Sequence, residues 1–189
     1  LTEALIPMAE RSKVLLLAPS IAARACANSS GYVFTAAAQI PSSLPAFTAA
    51  LRRHPEIKRI ASVHFDDPGW GDLLAHVWER AALNQGATIV AGFESADFSP
   101  DFRAAFPKLL MKRPDAFFIA HEPFSAVRTL RELHFGGTVI FANNLMEVLT
   151  PDSAFDKNEL DKMLFVDTAP TSDFLAKFLA KFRTPRLLE

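Results

Sequence analysis

The chain has 189 residues, half of them hydrophobic, enough to bury a real core and unlike a disordered tail. Its 20 basic and 21 acidic side chains leave a formal net charge of −1, which gives no electrostatic reason for nucleic acid or an anionic membrane as partner. The apolar runs are too short to cross a bilayer, and the single cysteine, Cys26, makes neither an internal disulfide nor a structural zinc site.

The chain opens on Leu1-Thr2-Glu3-Ala4, which reads as the interior of a helix, with no secretory-signal pattern. Lys13 to Ala18 is a continuous apolar run stopped by Pro19, the pattern of a strand buried on both faces. Together with a second short strand before Thr35 it forms a helix–strand–strand fragment that does not complete the sheet predicted further on. Pro41 to His54 carries Leu44, Phe47, Ala50 and Leu51 at helical spacing and stops before Pro55. Ile57 to Phe65 reads as a strand, Asp66-Asp67-Pro68-Gly69 as a turn, and Gly71 to Gln85 as a helix with Leu74, Val77, Trp78 and Ala81 inward and Gly86 as its C-cap glycine.

The alternation then repeats. Ala87 to Phe93 is strand-like, and Ser99 to Lys112 is a predicted helix with Ser99 as N-cap and Pro100 at its first position. Asp115 to Ala120 is a strand, Pro123 to Phe135 a helix closed by Gly136-Gly137, and Thr138 to Ala142 a strand. Asn144 to Leu149 reads as a short helix, Lys162 to Val166 as a strand, and Ser172 to Phe182 as a helix with Phe174, Leu175, Phe178 and Phe182 inward. Five strands between Ile57 and Val166 with helices between them predict βαβ units and a doubly wound parallel sheet of flavodoxin-like order 2-1-3-4-5.

In such a sheet ligands bind beyond the carboxyl ends of the strands, where the winding reverses. That rule selects Asp66, Asp67, Gly69, Trp70 and Gly71 after the first strand, His121 and Glu122 after the third, and Asn143 and Asn144 after the fourth. In order 2-1-3-4-5 the first and third strands flank the switch point, so Trp70 and His121 are expected to face one cleft. Trp70, between two glycines, is either a staple onto its own helix or a stacking platform. His121 alone reads as a hydrogen-bonded loop histidine. Gly69-Trp70-Gly71 lacks the third glycine of a dinucleotide fingerprint, and the strand ends lack the Asp and Lys of a phospho-acceptor receiver. Ser20 lacks a Gly-x-Ser-x-Gly setting, and Pro19-Ser20-Ile21-Ala22 suits anion binding better than acyl transfer. No metal or cofactor is expected. A small α/β enzyme using His121 as base and Asp66 as its orienter is a third reading, without a nucleophile to support it.

The run Arg59-Ile60-Ala61-Ser62-Val63-His64-Phe65-Asp66-Asp67-Pro68-Gly69-Trp70-Gly71 resembles the strand, acidic turn and aromatic-Gly of type I periplasmic solute-binding proteins of the branched-chain amino acid ABC-transporter type. Gly86-Ala87-Thr88-Ile89-Val90, Asp97-Phe98-Ser99-Pro100-Asp101-Phe102 and Arg113-Pro114-Asp115-Ala116-Phe117-Phe118 follow in the family's order. Upstream, Leu17-Ala18-Pro19-Ser20 and Gly31-Tyr32-Val33-Phe34-Thr35 resemble the segment that ends its first lobe.

The resemblance implies two doubly wound lobes closing on a ligand, without catalysis. Residues 1–37 would be the tail of lobe one, 38–166 lobe two and 167–189 a return toward lobe one, so the chain is expected to be a fragment of a longer protein. A second copy could cover the apolar edge left by a missing lobe, making a homodimer. The implied partners are a small organic acid or amino acid and the membrane subunits of an ABC transporter, the implied location periplasmic or extracytoplasmic, and the same fold also serves ligand sensors.

Carried over, Ser20, Ile21 and Ala22 match the loop that holds the ligand carboxylate, with Ala22 where a threonine hydroxyl is common. Trp70 matches the aromatic, usually tyrosine, that covers the ligand, and His121 falls at another aromatic contact. Asn144 falls where an acidic residue takes the ligand ammonium. A hydrogen bond to a charged group is worth about 1.5–3 kcal/mol, so this departure predicts ammonium binding weaker by roughly one to two decades. The expected ligand is therefore a small carboxylate, aromatic in one form of the hypothesis, stacked on Trp70.

Overall fold

The computed structural model of the protein describes residues 2–18, 31–35, 44–66, 71–97, 100–121, 123–141 and 162–166, with positions 177 and 180 in a helix. Helix α1 (Thr2–Ser12), strand β1 (Leu16–Ala18) and strand β2 (Val33–Thr35) come first. They are followed by α2 (Leu44–Arg53), β3 (Arg59–Phe65), α3 (Gly71–Asn84), β4 (Thr88–Ser95), α4 (Phe102–Leu110), β5 (Ala116–Ala120), α5 (Pro123–Glu132), β6 (Thr138–Phe141) and β7 (Met163–Phe165).

Among the described residues β3 to β7 form one five-stranded sheet in the order β4-β3-β5-β6-β7, every pair parallel. Counted within the sheet this is 2-1-3-4-5, the order expected from the strand–helix alternation. β5 lies at its centre, and all five residues of Ala116–Ala120 are buried because helices cover both faces. β4 is an edge strand with a register shift opposite Ile60 and Ala61, and its residues are half-buried or exposed.

Alternation along the strands divides the core in two. Ile60, Ala116, Phe118 and Ile140 face α2 and α3, where Phe47 and Leu51 of α2 meet Leu74, Trp78 and Ala81 of α3. Trp78 stacks on Phe118 with ring centroids 4.5 Å apart, and Phe47 meets Trp78 edge-on at 4.7 Å. Ala61, Val63, Phe117, Ile119, Val139 and Phe141 face α4 and α5, against Phe102, Phe106, Leu109, Ala126, Val127 and Leu130.

The helix ends follow backbone geometry. After α3, Gly86 takes φ +72°, and the amides of Gly86 and Ala87 donate to Leu83 O and Ala82 O, each at 3.0 Å. α5 ends at Glu132 rather than running to Phe135. Its closure is His134, at φ +58°, with the His134 and Phe135 amides on Arg131 O and Leu130 O, and not the expected Gly136-Gly137. α4 begins at Phe102, and its N-cap is Asp101, whose carboxylate accepts the Arg103 amide at 3.0 Å. This replaces Ser99, which lies outside the described residues. Gly71 opens α3 hard against β3, where a Cβ would collide with the Phe65 carbonyl.

β1 and β2 form a separate two-stranded parallel sheet, in agreement with the expected helix–strand–strand fragment. The expectation that the Lys13–Ala18 run is buried on both faces is overturned. Leu16 and Val33 share the face turned to α1, whereas their neighbours Leu17 and Phe34, paired across the strands, are 63% and 50% exposed. A two-stranded sheet has one covered face here, and a continuous apolar run does not reveal that only one face is covered.

Candidate functional site

The amino edge of the main sheet is structural. The Asp115 carboxylate accepts the Lys58 and Arg59 amides at 3.0 and 2.9 Å, and the Arg59 guanidinium donates to Arg113 O and Lys112 O at the end of α4. These contacts tie β3 to the α4–β5 connection.

The carboxyl edge gathers a different set of groups. β3 ends in Phe65 and Asp66, β4 in Glu94 and Ser95, and β5 runs into His121. His64 and Glu94, register partners on β3 and β4, approach to 4.0 Å. By strand alternation His121 is on the α4–α5 side of the sheet, together with Phe65. Its ring, in a residue 7% exposed, meets Phe65 edge-on at 5.3 Å and Phe102 edge-on at 5.7 Å. Its Nε2–H donates to the Asp97 carbonyl at 3.0 Å, which requires a proton on that nitrogen.

Ser95 completes a chain of contacts between loops. Its hydroxyl oxygen accepts the Asp97 amide at 3.1 Å, and its carbonyl accepts the Asp66 amide at 2.9 Å. A Ser two residues before the amide it caps is a local turn signal. The sequence reading gave Ser95 no role and named Asp97 only within a family-like run, and the Ser-x-Asp spacing at the end of β4 is the signal that could have found the pair. The ends of β3, β4 and β5 are thus joined by three hydrogen bonds at the switch point of the sheet.

Of the six residues proposed from sequence, His121 is at this edge. Ser20, Ile21, Ala22, Trp70 and Asn144 lie outside the described residues. His121 directs Nε2 at a backbone carbonyl, whereas a catalytic pair would direct a ring nitrogen at the Asp66 carboxylate. An open cleft of about 440 Å³ lies on the flank between α4 and α5, lined by Asp101, Phe102, Arg103, Ser125, Arg128 and Glu132 among others. It contains none of the six. Arg103 spans it with a two-pronged contact to Glu132, both bonds at 3.0 Å, an exposed pair of small energetic weight. Among the described residues no three His, Cys, Asp or Glu side chains gather as metal ligands, and no helix is long and apolar enough to cross a membrane.

The sequence matches no described protein family and no curated protein. The fold does match solved structures: the chain has the fold of the type I substrate-binding proteins of ABC transporters. One is an ABC-transporter substrate-binding protein from Desulfitobacterium hafniense in complex with Leu, 17% identical, with a TM-score of 0.67 over 97% of this chain and 55% of that one. Another is the solute-binding protein of an ABC transporter from Rhodopseudomonas palustris BisB5 in complex with 3,4-dihydroxybenzoic acid, 18% identical, TM-score 0.69, covering 96% of this chain and 53% of that one. A putative branched-chain amino acid ABC transporter from Rhodospirillum rubrum, 14% identical, gives a TM-score of 0.62 over 96% of this chain and 54% of that one. The chain spans about half the length of these proteins.

Proposed function

We propose that this chain is part of the extracytoplasmic solute-binding component of an ABC importer, holding a small carboxylate between two lobes and releasing it unchanged. The observation that carries the reading is the carboxyl edge of a 2-1-3-4-5 parallel sheet, where the ends of β3, β4 and β5 are bonded together at the switch point. Two of the solved structures sharing the fold hold Leu and 3,4-dihydroxybenzoic acid, which have a carboxylate in common. In this reading the backbone and hydroxyl of Ser20-Ile21-Ala22 receive the carboxylate, Trp70 covers the body of the solute, and Asn144 replaces the carboxylate that would hold an ammonium. The same reading counts His121 in the crevice wall, and its position at the carboxyl edge supports that. Residues 38–166 form the second lobe, and residues 1–37 and 167–189 belong with the first; the separate β1–β2 sheet supports that division. The partners are the membrane subunits of the transporter, which receive the closed form.

Calorimetry on the full-length protein tests the reading. We expect 3,4-dihydroxybenzoate to bind at least about tenfold more tightly than leucine, because an amide in place of a carboxylate forfeits the ammonium contact. Trp70→Ala should weaken the benzoate by about tenfold or more while the emission of the buried Trp78 stays unchanged. Tight leucine binding without benzoate binding would overturn the ligand preference, and chemical conversion of the solute would overturn the non-catalytic role.

A further inference from the structure

We propose that His121 is a positioning residue of this crevice: it sets the ends of β3 and β4 through the Ser95–Asp97 turn and does not itself grip the solute. The inference rests on the solute-binding reading above and assigns His121 a task other than the aromatic contact implied by resemblance.

Four observations carry it. His121 is 7% exposed, so little of its surface is available to a solute. The Phe65 and Phe102 rings fix its plane from two directions. Its Nε2–H is directed at the Asp97 carbonyl, in a loop 24 residues away in sequence. The turn that presents this carbonyl is closed by Ser95, whose hydroxyl takes the Asp97 amide and whose own carbonyl takes the Asp66 amide. One imidazole donor therefore fixes the chain at Asp97, just past the end of β4, and through Ser95 the exit of β3 at Asp66, from which the sequence runs on toward Trp70. An N–H donor aimed at a main-chain carbonyl holds a loop in place whatever side chains the loop carries.

Two substitutions separate donor from ring. His121→Phe keeps an aromatic ring between Phe65 and Phe102 and deletes the donor, whereas His121→Gln keeps an N–H at the position of Nε2 and deletes the ring. Amide hydrogen exchange without solute is the first measurement. His121→Phe should speed exchange at Asp97 and Asp66 by about three- to tenfold, the worth of one net hydrogen bond. His121→Gln should restore most of the protection, and Ile140 in β6 should respond to neither.

The second measurement is 3,4-dihydroxybenzoate affinity of the full-length protein, expected to fall by a similar factor in His121→Phe and to recover in His121→Gln. Should His121→Phe fail to fold, Ser95→Ala removes the acceptor of the Asp97 amide and should speed exchange at the same two amides. Unchanged exchange in His121→Phe would overturn the proposal. So would equal loss of affinity in both variants with exchange unaltered, since the ring would then be touching the solute. If exchange responds as expected but the wild-type protein binds neither benzoate nor leucine, the solute-binding reading fails and the loop-holding role stands.

Discussion

Ser62 and Trp78 each bury a polar atom, the Ser62 hydroxyl and the Trp78 indole nitrogen, that has no hydrogen-bond partner among the described residues. For Trp78 the stacking on Phe118 and the edge contact from Phe47 offset the loss. Ser62, on the inner strand β3 and 1% exposed, has no such compensation. A buried unpaired hydroxyl costs about 1–3 kcal/mol, so Ser62→Ala should be neutral or stabilise the fold by up to about 1 kcal/mol. Urea unfolding followed by Trp78 emission measures this, and a loss of more than about 1 kcal/mol would show that the hydroxyl is bonded in solution. Residue environments were legible in the sequence only in part. Strand alternation gives the side of the sheet on which His121 lies. Its partner is a main-chain carbonyl in a distant loop, which leaves no mark in side-chain pattern.

At the scale of elements, strand identity and order follow from the alternation of short apolar runs with helix-spaced ones, and all five strands of the main sheet were legible that way. Helix ends were less so. Gly86 advertises its positive φ because glycine adopts it without a Cβ penalty, but His134 adopts the same conformation after α5 with no residue signature. Three further non-glycine residues, Lys13, Arg113 and Lys162, also have positive φ. The exposed His134 ring makes glycine a clean replacement. His134→Gly should relieve about 1 kcal/mol of left-handed strain, less what the chain gains in unfolded freedom, and raise Tm by roughly 1–3 °C. A lower Tm would mean that the imidazole contributes contacts beyond the cap. The N-terminus of α4 was missed by two residues because Ser99-Pro100 and Asp101 both satisfy the start rules, and only the observed Asp101–Arg103 bond distinguishes them.

Over the whole molecule two sheets differ in how they are covered. The five-stranded sheet carries a helical layer on each face, whereas β1 and β2 carry α1 on one face and leave Leu17 and Phe34 open on the other. Val14 and Leu15, just before β1, are exposed as well. Changing Leu17 and Phe34 together to lysine should reduce binding of a hydrophobic dye by this chain, and should alter the stability reported by Trp78 by less than about 0.5 kcal/mol. Unaltered dye binding would mean that another surface takes up the dye. The face turned to α4 and α5 holds a different consequence. Ring contacts run without a break from Phe65 through His121, Phe102, Phe106 and Phe117 to Phe135, from one rim of the sheet to the other. Aromatic rings in close contact do not tilt independently. A shift in the seat of α4 would therefore re-aim the imidazole at the far rim, and under the proposed binding role the preference for a solute would be open to change by mutation of the scaffold's interior, away from the crevice.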